Sequence, residues 1–314
     1  MLILSLSDMA LRVVDLLQQG RAELDDTNSQ LSKDRVVDAI NSYYSALNVE
    51  AQMGSRPRPE LIAYRNAVRS SSTEMLDITY NPMYGQLIGI TRMDVGDTTP
   101  KQNETLMALS SIAEGAGFAN EANFKIVGNQ IIVLNPSGDY YRTWWIRNPG
   151  PLHQGTLASG ATYTSIVFGA TATYGSVPQI DDVHNGDLIY FPDGNAAGEH
   201  AIVSDYDGGT RTATLSPLQA LSGNALTTPP ANGDGYSIVP WFSLLFGDLL
   251  PYLAATQFTR LPSRDEIVPG AESRLGQFRN WLSRVDLSTP RRVVVRGQVD
   301  FGVGNSARRV YLKS

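Results

Sequence analysis

Between residues 155 and 239, short runs of β-forming residues alternate with clusters of Gly, Ser, Thr and Asn, and helical periodicity lies on either side. This pattern constrains the fold more than any other feature of the sequence. The runs at 163–168, 187–191, 201–206 and 212–215 are each too short to bury a face alone. Five or six such strands joined by tight turns satisfy their backbone and bury their side chains as a small barrel or sandwich.

The flanks are helical. Ser7-Asp8 offers a cap ahead of Met9, Leu11, Val13, Val14, Leu16 and Leu17, with Gly20 beyond. Ser32 precedes Val36, Val37, Ile40, Tyr43, Tyr44 and Leu47, spaced along one helical face until Gly54, Pro57 and Pro59. Residues 101–114 carry Leu106, Leu109, Ile112 and Ala113 before Gly115-Ala116-Gly117, which predicts a third helix. Helical character returns at 241–255 and 271–285. Residues 75–95 predict two short strands around Asn81-Pro82. Residues 124–147 predict a three-stranded meander turning at Gly128-Asn129 and at Pro136-Ser137-Gly138. The returning helices need an apolar partner, and the first helices supply the nearest one. The expected class is therefore α+β. A discontinuous helical bundle with a short β meander (1–152) carries an inserted small β-barrel or sandwich module (153–239). The returning helices of the body follow (240–290), then an extended basic C-terminal arm (291–314).

Composition narrows the chemistry. With 42% hydrophobic residues in 314, a real core is expected. The absence of Cys excludes disulfide scaffolds, thiolate zinc sites, iron–sulfur clusters and cysteine nucleophiles together. The N-terminal stretch lacks the basic and small-residue signature of a signal peptide. The most apolar run, 241–255, is interrupted by Asp248 and Pro251. No membrane segment is expected from either. The net charge of −6 averages two unlike parts. Residues 291–314 hold six basic residues and one acid, a balance of +5, against −11 for residues 1–290. A basic tail on an acidic body is suited to docking on an acidic partner, or forms a solvated Arg-rich hairpin.

Motifs for catalysis are thin. The segment 185–207, NGDLIYFPDGNAAGEHAIVSDYD, resembles the strands around the histidine of cell-wall peptidases of the NlpC/P60 and CHAP type. Those enzymes need a thiolate beside that histidine, and His200 has none. Asp181, Asp182, His184, Asp187, Glu199 and His200 are metal-ligand types within 20 residues, but at no recognised zinc or calcium-loop spacing. The expectation is that the acids cap turns and the histidines lie at the surface. Gly302-Val303-Gly304 lacks the third glycine and helix of a phosphate cradle. Of Trp144 and Trp145, strand alternation allows at most one to face outward. No enzyme activity, cofactor or metal is expected.

Two stretches carry a resemblance. FKIVGNQIIVLNPSGDYYRTWWIRNPGPL (124–152) resembles the meander of head–tail connector (adaptor, or neck) proteins of tailed bacteriophages. AAGEHAIVSDYDGGTRTATLSP (196–217) with NGDGYSIV (232–239) is similar to a β module common in phage neck, tail and decoration proteins. By that likeness Gly198 is its tight-turn glycine, Tyr206-Asp207 its central strand end and Tyr236–Ile238 its closing strand. The insertion 153–239 departs from the smallest adaptors, which lack it.

The resemblance implies a non-enzymatic virion protein of the neck, between capsid and tail, assembled in the host cytoplasm. Its subunits would form a twelve-fold ring under the portal protein and join it to a tail or nozzle protein. DNA would pass through the ring without sequence-specific contact, and no membrane would be involved. In such adaptors the C-terminal segment docks on the portal. The matching residues here are Arg291, Arg292, Val293, Val294, Val295, Arg296, Arg308, Arg309, Val310, Tyr311 and Leu312. Their arginines would supply charge-assisted hydrogen bonds and their valine-rich runs strand edges. An acidic conduit wall would also let phosphate slide without sticking. The alternative is a fibre- or decoration-type binding protein whose β module contacts capsid or host-surface glycan.

Overall fold

The computed structural model describes residues 3–18, 21–27, 29, 31–52, 58–80, 85–93, 105–108, 123–134, 138–158, 160–216, 225–258 and 270–283. The eleven docking-arm residues just named, within 291–314, lie outside the described residues. The fold is mixed helix and strand, and the chain divides into two units. One holds Met1–Tyr64, Asn81–Leu87 and Trp145–Asp286; the other holds Arg65–Tyr80, Ile88–Trp144 and Leu287–Ser314.

The first unit opens with α1 (Leu6–Leu16). Its cap is Ser5 rather than Ser7-Asp8. The Ser5 hydroxyl accepts from the Asp8 amide at 3.2 Å, and the Asp8 carboxylate accepts from the Ser5 amide at 3.2 Å. This reciprocal pair moves Asp8 into the first turn, where its charge also suits the helix dipole. Helix α2 (Lys33–Gln52) starts after Ser32, as the sequence predicts, and buries Val36, Val37, Ile40, Tyr44 and Leu47. The returning helices are α3 (Ser243–Phe246), α4 (Leu249–Gln257) and α5 (Ala271–Ser283). Helix α4 is buried at every residue from Leu249 to Ala255, as its all-round apolar sequence requires. It packs on α1, α2 and α5. Around it Trp241, Phe242, Phe246, Phe278 and Trp281 form one ring cluster, with Tyr44 of α2 against Phe242. Trp241, Phe242 and Phe278 are buried, and each such buried ring contributes about 1.5–3 kcal/mol. The Trp241 indole N–H donates to Asn48 Oδ1 at 2.9 Å, so its one polar atom is satisfied.

The same unit contains a closed six-stranded barrel. Its strands are β8 (Gln154–Leu157), β9 (Ser165–Tyr174), β10 (Leu188–Tyr190), β11 (His200–Asp207), β12 (Thr212–Ser216) and β13 (Gly235–Val239). The order around it is β10-β11-β12-β9-β8-β13. Every strand pair in it is antiparallel, and closure leaves no edge strand. Register fixes what faces in. Tyr236 pairs with Gly155 and Ser237 with Gln154, so Tyr236 points inward while Ser237 and Gln154 point out. The barrel module expected from the sequence is present, with each of its strands inside 153–239.

The second unit is built on a seven-stranded sheet. It contains β1 (Ile62–Val68), β2 (Met75–Thr79), β3 (Gln86–Met93), β4 (Thr105–Ala108), β5 (Asn123–Val127), β6 (Gln130–Leu134) and β7 (Tyr140–Ile146). Strands β2 and β3 flank Asn81-Pro82 as predicted. Two expectations fail. The meander stops after its first hairpin: β5 and β6 pair antiparallel, but β7 lies between β1 and β3 in the order β1-β7-β3-β4-β5-β6-β2. The reason is burial. Tyr141, Arg142, Thr143, Trp145 and Ile146 are all buried, which suits a central strand and not the edge of a meander. The predicted helix at 101–114 is instead a strand at Thr105–Ala108, antiparallel to β3 and parallel to β5. Pairing on both sides overrides the local helical spacing of Leu106. The rest of that segment lies outside the described residues. Trp145 is buried and Trp144 half-buried, its indole donating to Thr91 Oγ1 at 3.1 Å.

Candidate functional site

The concentration of titratable groups lies inside the barrel, and it is built from residues that the sequence scatters. His153 precedes β8 and alternates with the outward Gln154, so it enters the interior beside Gly155 and Leu157. His184 and Asp187 sit on the turn that leads into β10, where the Asp187 amide donates to the His184 carbonyl at 2.8 Å. Arg147 follows β7, and its Nε donates to the Glu60 carbonyl at 3.2 Å. Tyr236 comes from β13.

These five side chains form one continuous chain. Tyr236 Oη lies 3.2 Å from His153 Nδ1, His153 Nε2 lies 3.0 Å from His184 Nε2, and His184 Nδ1 lies 2.9 Å from Asp187 Oδ2. The other carboxylate oxygen takes Arg147 Nη1, and the Gly150 amide donates to Oδ2 at 3.3 Å. Gly150 is a close approach: a Cβ there would lie 2.8 Å from both His184 Nδ1 and the Val183 carbonyl oxygen. With both imidazoles neutral, one arrangement of protons satisfies every contact. Asp187, ionised against Arg147, accepts from His184 Nδ1–H. His184 Nε2 then accepts from His153 Nε2–H, and His153 Nδ1 accepts from the Tyr236 hydroxyl.

Burial keeps the His153 ring neutral. His153 and His184 are 0% exposed and Asp187 is 1% exposed. Loss of solvent, with the His184 ring next to it, holds His153 well below the ordinary imidazole value. Burial likewise pushes the Tyr236 phenol up, and it raises Tyr206 to about 12. Phe168 stacks on Tyr236 with centroids 4.3 Å apart, and Tyr206 meets the His184 ring edge-on at 4.9 Å. The interior is thus a packed aromatic core threaded by one polar chain. Its chemistry is internal: it neutralises Arg147, orders two imidazoles and ties β13 to the turn before β10.

The other sequence candidates do not join this chain. His200 begins β11, half-exposed, in register with Tyr190, and its Nδ1 is buried without a partner. Asp181 Oδ1 accepts from the Gly208 amide at 2.8 Å and Asp182 Oδ1 from Asn185 Nδ2 at 2.6 Å. The Glu199 carboxylate accepts from the Thr227 and Thr228 amides at 2.6 and 3.0 Å. These acids hold loops, as expected of turn-capping residues. Among the described residues no group of three or more His, Asp or Glu is placed to hold a metal. His184 corrects the expectation of a surface histidine, because it is core, and Asp187, expected to cap a turn, is buried beside it. His153, Arg147 and Tyr236 were missed altogether. The alternation His153, Gly155, Leu157 was the available signal, since it puts an imidazole on the apolar face of a strand.

No family model matches this chain, and no curated protein matches it significantly. Among the described residues, no helix is long and apolar enough to cross a membrane.

Proposed function

We propose that this chain is a structural connector subunit of the neck of a tailed bacteriophage, a reading that rests on the strand-and-turn resemblance given above. In this reading α1, α2 and α4 belong to a discontinuous helical bundle that carries the barrel as an insertion. The subunits form a ring, twelve-fold in the family it resembles, with a central passage for DNA. The arm at 291–314 docks on the portal through Arg291, Arg292, Arg296, Arg308 and Arg309, while a tail or nozzle protein binds below.

The observation that carries a structural role is the condition of the chain's acid–base residues. Tyr236, His153, His184, Asp187 and Arg147 are bonded to one another inside the barrel, where they stiffen a framework. The packing of α4 on α1 and α2 adds support, because helices from both sides of the barrel in sequence then share one layer.

Negative-stain imaging of the purified protein tests the ring directly; the expected image is an annulus with a central hole, and uniform monomers would overturn the assignment. Truncation after Ser288 is expected to leave the ring intact and to abolish portal binding. Portal affinity equal to the full chain's would remove the docking arm from the proposal.

A further inference from the structure

The buried histidine pair sits directly behind the places where two helices grip the barrel. His153 faces inward, and its two sequence neighbours face outward to helices. The Leu152 amide donates to Asn41 Oδ1 of α2 at 2.8 Å, and Asn41 Nδ2 donates back to the Leu152 carbonyl at 3.1 Å. Gln154 Oε1 accepts from the Ser7 amide of α1 at 2.8 Å, and its Nε2 donates to Ser7 Oγ at 3.0 Å. Tyr236 repeats the arrangement on β13, where the next residue, Ser237, accepts from the Leu6 amide of α1 at 3.0 Å. Strand alternation therefore links each end of the Tyr236–His153 contact to a helix anchor one residue away.

The pair has no vacant position for a further proton. A proton on His184 Nε2 meets His153 Nε2–H head-on at 3.0 Å. Relief requires His153 to accept at Nε2 and donate from Nδ1 to Tyr236, with the Tyr236 hydroxyl turned toward a different acceptor, while His184 Nδ1–H still donates to Asp187. We infer that the His153–His184 pair is an acid-sensitive latch, and that protonation loosens the seat of α1 and α2 on β8 and β13. The titratable and charged groups around it are Tyr236 from β13, Tyr206 from β11, Arg211 before β12, Asp187 before β10, Arg147 after β7 and Tyr44 from α2. Outside the barrel wall, Asp8 of α1 is engaged by Ser5. Asp187 and Arg147 neutralise each other, so the pair has no uncompensated anion at hand to hold an imidazolium. This latch does not depend on the connector role.

The direction with pH follows from burial. Above the ordinary value of 6.5 the imidazole of His153 is neutral in both open and closed forms, and the seat has its full strength. As pH falls below 6.5, the open form takes up the proton first. The ratio of closed to open form then drops about tenfold per pH unit from this one group, until the folded value is passed.

The full-length protein, labelled with 15N-histidine, allows two measurements. Long-range 1H–15N spectra at pH 7.5 are expected to show His153 protonated on Nε2 only and His184 on Nδ1 only. Any other tautomer pair overturns the latch. Hydrogen exchange between pH 7 and 5, corrected for intrinsic rates, is expected to show the Leu6 and Ser7 amides losing protection before the Phe278 amide of α5. The drop should be close to tenfold per pH unit. In His153→Gln that extra acid dependence should vanish, and in His200→Ala it should persist. Simultaneous loss at Leu6, Ser7 and Phe278, or equal acid dependence in His153→Gln and the parent chain, would overturn it. The tautomer measurement needs no variant, so a failure of His153→Gln to fold leaves the test standing.

Discussion

The barrel and the seven-stranded sheet are assembled by opposite means. The barrel uses strands that succeed one another between Gln154 and Val239, closes completely, and fills its interior with rings and a bonded polar chain. The sheet gathers strands out of sequence order, includes the parallel pair β4–β5, and has its ends β1 and β2 linked by a bridge between Arg69 and Leu76. It also leaves Val68, Ile126, Val127 and Tyr140 exposed. The barrel is stabilised by an interior that is costly to disturb. The sheet is held by pairing along strands, and its outer apolar residues have no such cover among the described residues.

Substitutions can break or sharpen that contrast. The largest effect is expected for Asp187→Ala, which leaves Arg147 buried without its carboxylate and His184 without its acceptor. Loss of one member of a buried pair costs about 3–5 kcal/mol. Urea unfolding followed at barrel amides should record it, while Ile131 of β6 keeps its exchange protection. A change under about 1 kcal/mol would mean that the polar chain does not hold the barrel. The next effect belongs to the sheet. Gly128 turns the β5–β6 hairpin at φ +63°, with open space around it, so Gly128→Ala meets backbone strain alone. The expected loss is about 1–2 kcal/mol in the thermal stability of the sheet, with the barrel unaffected. The smallest is Arg69→Ala, which removes a 3.0 Å contact to the half-exposed Asp139. Pairs of this kind contribute about 0–1 kcal/mol, and a change beyond about 2 kcal/mol would show that the tie between the end of β1 and the start of β7 is a keystone of the sheet.

The same contrast explains what the sequence discloses. The barrel is legible because its strands are near neighbours: the turn between β11 and β12 spans only Gly208–Arg211, and the alternating burial of Ala201 and Val203 in β11 and of Ala213 and Leu215 in β12 follows the period of a strand. The sheet is not. Nothing in YYRTWWI says that β7 leaves β6 to pair with β1 and β3, because the partners lie far off in the chain. The TLMA of β4 reads as helix for the same reason, since pairing on both flanks appears only when the sheet is assembled. The candidate site was half legible. His184 and Asp187, three residues apart, stood out as a polar cluster, but their partners Arg147, His153 and Tyr236 come from separate elements. Spacing in sequence carries no trace of a contact across a barrel.

The seat of α1 has a consequence for how the protein is made. The Leu6 amide finds its acceptor on Ser237, 231 residues further along. A ribosome delivers α1 first and β13 much later, at about 5–20 residues per second. The Leu6 amide therefore waits without this acceptor for more than two hundred residues of synthesis. The helix's own capping pair, Ser5 and Asp8, is what can hold its opening turn together in the interval. The last barrel strand to emerge fastens the first helix, and the N-terminal end is completed from the C-terminal side.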